Sequence, residues 1–224
     1  MRYVIDLLPG LGTTFLLWFL ILLIGLPAGL ILGYMLGNGS KLVHPLAVLV
    51  VTVARGFPGL VVLYIAYSGL PELGLMLSNR TAVVVAFAFT TMGYTAEIFR
   101  SAVEGVPKAQ SEACTALGMS FWKAQRKVIL PQAVRNVIPA LLGFTVIVLQ
   151  ATSLGYSVGL KELTGLGYNL GSVTFEAMPY MVGAGVIYLV VCVAISRLAG
   201  RLEHARPRRR RRRAVAAPAV APTT

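Results

Sequence analysis

Residues 107 to 131 read PKAQSEACTALGMSFWKAQRKVILP, a polar insert between two long apolar stretches. Pro107 suits the first turn of a helix, where its missing N–H is no loss, and Gly118 suits the stop, where a left-handed residue is needed. The spacing predicts a short helix over 107–117. Ala109, Ala113, Ala116 and Leu117 fall on one face, with Lys108, Gln110, Ser111, Glu112 and Thr115 over the rest. Side chains that small let another surface approach the backbone, so this helix is shaped to dock into a groove. Ser120 is placed to cap a second short helix carrying Phe121, Trp122, Lys123, Arg126 and Lys127, and Pro131 opens the next apolar run. An elbow of two short helices is expected. Its bland counterpart is a loop whose basic residues merely follow the positive-inside rule.

The composition around the elbow excludes a soluble domain. Of 224 residues 57% are hydrophobic and 12% charged, at a mean hydropathy of +0.77, and a core of this size cannot hide so much apolar surface. The net charge of +12 is local, since seven of the twenty basic residues are Arg206 and Arg208 to Arg213. Cys114 and Cys192 lie in the elbow and in an apolar run, which suits neither a disulfide framework nor a metal site. The first apolar run is too long for a cleaved leader.

Taken in order, the chain predicts an all-α, polytopic membrane protein of five spans. The first covers 13–36 and carries Gly25, Gly29, Gly33 and Gly37 at four-residue spacing, a smooth ridge for a neighbouring helix. After the Asn38-Gly39-Ser40-Lys41 turn, residues 42–54 are too few to span and read as an interfacial or tilted piece ending at Arg55. The second span is then 58–77, opening at Pro58. Arg55 reads as a structural arginine at the cytoplasmic interface, with a substrate-facing charge as the second reading. The third span, 81–98, turns polar through Thr90, Thr91 and Tyr94, and Glu97 and Arg100 at its end are one turn apart and able to pair. The fourth covers 132–152 and the fifth 179–198. Between these, residues 155–176 read as a glycine-rich outer loop with a short surface helix near Lys161-Glu162-Leu163. The permease domain so defined is 1–205. The Arg-rich remainder, 206–224, reads as a disordered tail that touches anionic lipid. Lys41, Arg100, Lys108, Lys123, Arg126, Lys127 and the arginine run fall on one side, Arg80 and Lys161 on the other. This count puts the N-terminus outside and the elbow and C-terminus in the cytoplasm.

Glu112, Ala113, Cys114, then Gly118, Val128, Leu130 and Pro131 form a pattern similar to the EAA signature of the membrane subunits of binding-protein-dependent ABC importers. Cys114 stands where that family usually has alanine and Val128 where it has isoleucine. The run from Tyr94 to Gln110 resembles the polar amino-acid subfamily, and Arg55-Gly56-Phe57-Pro58 resembles its arginine, glycine, threonine, proline motif. Thr152-Ser153-Leu154 matches a segment in which the family has lysine and aspartate where this chain has Gln150 and Ala151. The resemblance implies a type I ABC importer permease that moves a polar amino acid into the cytoplasm of a bacterial cell. Its implied partners are two cytoplasmic ATPase subunits, a second permease, identical or sister, and an extracytoplasmic binding protein. ATP and Mg would be bound by the ATPase, with no cofactor in this chain. Glu112, Ala113, Cys114, Gly118, Leu130 and Pro131 would couple the two.

No nucleophile–base set, phosphate loop or paired intramembrane carboxylates is legible, so the chain carries no visible catalytic apparatus. A secondary carrier or channel and a lipid-modifying membrane enzyme are the competing classes. The carrier lacks intramembrane acids for a proton relay, and the enzyme lacks an acid cluster or metal ligands. Nucleic acid is not an expected partner. For the solute path, polar side chains in the spans are few. Thr91 and Tyr94 on the third, with Thr152 and Ser153 on the fourth, are the candidates, the alternative being hydroxyls that merely bond helix carbonyls. Deleting 206–224 should leave uptake intact, because Lys41 and the elbow cations keep the inside-positive bias. Loss of uptake in the truncated, correctly inserted protein would contradict this.

Overall fold

The computed structural model describes residues 2–204, so the tail expected at 206–224 lies outside the described residues. Four helical stretches there are long and apolar enough to cross a membrane: Arg2–Asn38, Asn79–Glu104, Phe121–Val158 and Ala177–Arg201. Val43–Gly56 and Gly59–Leu73, bent by 99° on each other, together make a fifth. No strand occurs among the described residues. The five-span, all-α expectation holds, with three corrections.

The frame is the pair formed by α1 (Arg2–Asn38) and α4 (Asn79–Glu104). Gly25 faces Thr91, Gly29 faces Thr95 and Gly33 faces Phe99, in step, so the two helices run parallel. A Cβ on Gly25 would lie 2.7 Å from the Thr91 methyl, and one on Gly29 would lie 2.6 Å from the Thr95 Cβ and 2.7 Å from the Met92 carbonyl. Dispersion between backbones this close is what holds helices together where lipid offers no hydrophobic contrast. Gly37, the fourth member of the expected ridge, meets nothing within 4 Å. Trp18 of α1 donates its indole N–H to the Thr145 carbonyl (2.7 Å) of α7 (Leu130–Ala151) and so ties a third helix to the pair.

The first correction concerns the second span. α2 (Val43–Gly56) is not interfacial: Ala47 and Val51 are buried with Leu36 and Ala96, and Ala54 is buried where Gly93 passes. It climbs from the elbow end of the bundle to mid-length of α4 and stops at Phe57 and Pro58, both extended. Pro58 has no N–H to continue the ladder. Beyond it α3 (Gly59–Tyr64) resumes, passing through a π turn (Ile65–Gly69) and a 3₁₀ turn to Leu73, with Leu63 and Ala66 in the main core against Leu17, Ile21 and Val83. A half-length apolar run reads as too short to span because nothing in the sequence shows that the helix resumes after the break. Arg55 accordingly lies at the break, beside Tyr94 and Glu97 of α4.

The second correction is the fourth span. The short helix after the elbow, α6 (Phe121–Ala124), does not end before Pro131. It continues through a π turn (Gln125–Ile129) into α7. An i→i+5 turn shifts the carbonyls by one position, which lets Pro131 enter without breaking the helix. The third correction is the outer loop, which holds a 3₁₀ turn (Thr152–Val158) and a longer helix, α8 (Leu163–Thr174), that buries Leu163, Gly167 and Gly171 on one face and exposes Tyr168 and Val173 on the other. Glu162 is fully buried and accepts the Thr164 (2.9 Å) and Gly165 (2.7 Å) N–H groups, capping α8, while Tyr188 of α9 (Ala177–His204) donates to it at 2.9 Å. Burial pushes this carboxyl above the usual carboxylate range, against the pull of those hydrogen bonds. Thr14 accepts the Leu163 N–H (3.1 Å) and anchors α8 to α1.

Replacing Gly29 by leucine should part α1 from α4 and cost about 1–3 kcal/mol. Gly37→Leu, in open space, should lie within about 0.5 kcal/mol of the parent. Thermal unfolding of the two variants in the same detergent checks this, and equal midpoints would contradict the packing described.

Candidate functional site

Two features stand out, a cavity at the broken helix and an exposed elbow at one end of the bundle.

The elbow begins with α5 (Lys108–Ala116), entered through Pro107 at its N-cap. Gly118 adopts φ +67°, with its N–H donating to the Thr115 carbonyl and the Met119 N–H to Cys114. The left-handed residue is the stop expected from the sequence, and a side chain there would be strained. Cys114 is buried and holds α5 down, while Glu112, Ala113 and Ala116 are exposed and Leu117 is 78% exposed. Phe121 and Trp122 stand beside them, also exposed. Ser120 takes the N-cap position of α6 but makes no side-chain cap hydrogen bond. Leu130 and Pro131 lie just after the π turn, not at the elbow's tip. The elbow is held to the bundle by several contacts: Gln132 donates to Gln110 (3.3 Å), Gln125 donates to Asn38 at the end of α1 (3.4 Å), and Trp122 lies against Tyr34 (6.4 Å between rings). Behind it Ile129, Ala133 and Val137 pack on Phe99 and Val106. Movement of the elbow therefore reaches α1 and α4 directly.

The cavity, about 570 Å³, opens where α2 breaks. Arg55, Phe57, Pro58, Thr91, Tyr94 and Phe144 are in its lining. A broken helix leaves its last carbonyls without intrahelical partners, and such backbone is tolerated at membrane depth only where it lines a cavity. The Arg55 guanidinium lies 5.5 Å from the centre of the Tyr94 ring and 3.7 Å from a Glu97 carboxylate oxygen. Glu97 and Glu104 both pair with Arg100. The pairing of Glu97 with Arg100 expected from their spacing is present, and Arg55 joins it from α2. A second, smaller cavity holds Arg55, Glu97, Arg100 and Glu104 on the elbow side. Arg55 borders both cavities, as a cation partnered by an aromatic face and a carboxylate.

Of the four residues expected along a solute path, two meet. Thr91 and Tyr94 line the cavity, Thr91 almost fully buried by Gly25 and Tyr94 exposed and stacked on Phe144. Thr152 and Ser153 do not line it. Thr152 is fully buried and donates to the Leu149 carbonyl, and Ser153 donates to that of Gln150. Gln150 itself reaches toward Cys192 of α9 (3.9 Å), leaving Ala151 as the neighbour that lines the cavity. Phe57, Phe87, Phe144, Ala151 and Leu154 were not legible as wall residues, because an apolar side chain facing a cavity looks the same in sequence as one facing lipid. In a chain freed of Cys114 and Cys192 by alanine, a cysteine at 94 should react with a water-soluble thiol reagent at least about tenfold faster than one at 152. Equal rates would displace the cavity from the water-accessible path.

The chain matches the family described as binding-protein-dependent transport system inner membrane component over residues 25–208. It is 33% identical over 185 residues to the probable amino-acid ABC transporter permease protein YckA of Bacillus subtilis, covering 83% of this chain and 82% of that one. It is 34% identical over 198 residues to the glutamine transport system permease protein GlnP of Escherichia coli, covering 86% and 90%. A crystal structure of an amino acid ABC transporter with histidines superposes with a TM-score of 0.87 at 32% identity, covering 91% of this chain and 95% of that one. The methionine transporter MetNI in an inward-facing form shares the fold, with a TM-score of 0.72 at 22% identity. The exposed elbow, the broken second span and these likenesses converge: the chain belongs to the family of binding-protein-dependent transport system inner membrane components, the multi-pass permease subunits of ABC importers, in which ATP hydrolysis is carried by other subunits.

Proposed function

We propose that this chain carries a polar amino acid inward across a bacterial cytoplasmic membrane, with the cavity at Arg55, Thr91 and Tyr94 as its solute site and the elbow as its coupling to ATP. The observation that carries the reading is structural. One surface element, with Ala113 on its small-residue face and Glu112 beside it, is fastened both to α1 through Asn38 and Tyr34 and to α7 through Gln110 and Gln132. The relatives named for amino-acid and glutamine transport support the solute class.

In this reading Glu112 and Ala113 seat α5 in a groove of a cytoplasmic ATPase subunit, and the buried Cys114 couples α5 to the permease behind it. Gly118 sets the angle at which the chain leaves that groove, and Leu130 and Pro131 transmit it into α7. Closure of two ATPase subunits on ATP and Mg turns the helices as rigid bodies and moves the cavity from one side's access to the other's. A second permease, identical or sister, completes the pathway, and an extracytoplasmic binding protein delivers the solute. The N-terminus faces outward and the elbow inward, as the basic residues of the elbow favour.

The test is co-purification with the cognate ATPase and reconstitution with the binding protein in proteoliposomes. Loaded binding protein should raise ATP hydrolysis and drive amino-acid accumulation. Gly118→Val forces a branched residue to positive φ, costing about 1–2 kcal/mol locally, and should lower coupled uptake at least fivefold while membrane insertion survives. Normal uptake in that variant, or a chain that never retains an ATPase, would overturn the reading.

A further inference from the structure

The cavity at the helix break has a charge pattern that narrows its cargo. Among the described residues its lining holds one charged side chain, Arg55, and no carboxylate. Glu97 lies behind Arg55, in the smaller cavity on the elbow side, and is engaged by Arg100. Its distance of 3.7 Å from Arg55 exceeds hydrogen-bond reach, so the guanidinium keeps donors for an incoming anion. Much of the remaining wall is carbon, from Phe87, Phe144, Ile147, Val148, Leu154 and Ala151. The last carbonyls of α2, at Gly56, open on the same space and carry the partial negative charge of a helix C-terminus.

We infer that this cavity takes an amino acid whose side chain carries no positive charge, and that the methyl wall at Ala151 sets the exclusion. The inference rests on the amino-acid reading proposed above and changes it in one respect: the polar groups recognised are the solute's carboxylate and ammonium, and its side chain is left free to be apolar. Each part of a zwitterion has a counterpart here. Its carboxylate meets Arg55 in a charge-assisted pair, and its ammonium meets the hydroxyls of Thr90 and Tyr94 and the helix-end carbonyls. The side chain is left against the aromatic and aliphatic wall. A guanidinium or lysine ammonium there would be desolvated against carbon with no counter-ion, which membrane interiors tolerate poorly. A leucine, methionine or phenylalanine side chain would instead replace water on that wall, and the volume admits any of them.

Because a binding protein would impose its own selection, the test omits it. Radiolabelled leucine, phenylalanine, glutamate and arginine are bound to the purified permease–ATPase complex in lipid nanodiscs. Parent protein is compared with Ala151→Asp and with the uncharged, equally sized Ala151→Asn. Leucine or phenylalanine should bind the parent at least about tenfold tighter than arginine, Ala151→Asp should gain at least about tenfold for arginine, and Ala151→Asn should gain none. Arginine binding the parent as well as leucine does, or an Ala151→Asp complex that assembles without gaining arginine, would overturn the inference and leave the amino-acid reading standing. Failure of every amino acid to bind a complex that still hydrolyses ATP would bring down both. Should Ala151→Asp fail to assemble, the parent's ranking of leucine against arginine decides alone.

Discussion

The structure depends on how closely α1 can lie against α4. Gly25, Gly29 and Gly33 face Thr91, Thr95 and Phe99 with room for no Cβ, which locks two parallel helices in one register. In lipid there is little gain from hiding apolar surface, so shape and backbone proximity supply the adhesion. Everything functional is hung on this pair. The opposite edge of α4 carries Tyr94 and Glu97, to which Arg55 is drawn, and the elbow's root packs on Phe99 near its end and on Val106 just beyond it. A looser α1–α4 contact would blur both sites at once.

The break in the second span is a local cost placed where it is useful. Ending α2 at Phe57 and Pro58 forfeits ladder hydrogen bonds in a setting where unsatisfied backbone is expensive. It also makes room for a guanidinium among aromatic and carboxylate partners at mid-length of α4. The four charges Arg55, Glu97, Arg100 and Glu104 sum to zero and lie between the cavity and the elbow end. The route from elbow to cavity is accordingly short: Trp122 touches Tyr34 near the end of α1, Ile129 touches the Phe99 cluster, and Arg100 sits one residue beyond Phe99.

How much of this was legible depended on how local the signal is. The elbow could be read in detail, because Pro107, the small face of α5 and Gly118 each act through backbone conformation a few residues away. The glycine ridge could be read as a ridge, but its partner could not be named, and nothing in the sequence told that Gly37 would lie beyond the contact. Tertiary context defeated the reading elsewhere. Arg55 could be read as a structural arginine, but its partners Tyr94 and Glu97 could not be named, because they lie on another helix. Pro131 looked like a start because the π turn that absorbs it has no sequence mark. Glu162 looked exposed because a carboxylate in a glycine-rich segment usually is, yet here it is buried at the N-cap of α8, with a tyrosine from α9 as its third partner. Thr152 and Thr91 carry the same hydroxyl, and only their place in the bundle separates a carbonyl-bonded side chain from a cavity wall.

The central claim is that elbow and cavity move as one. A nitroxide at position 57, where the cavity meets the helix break, reports that directly through its collision rate with a water-soluble relaxation agent. It is measured in the permease–ATPase complex, once without nucleotide and once trapped with ATP. The account predicts a clear change in accessibility between the two states, because the elbow's contacts to α1, α4 and α7 must carry ATPase closure to the cavity wall. The same accessibility in both states, in a complex that hydrolyses ATP, would contradict it.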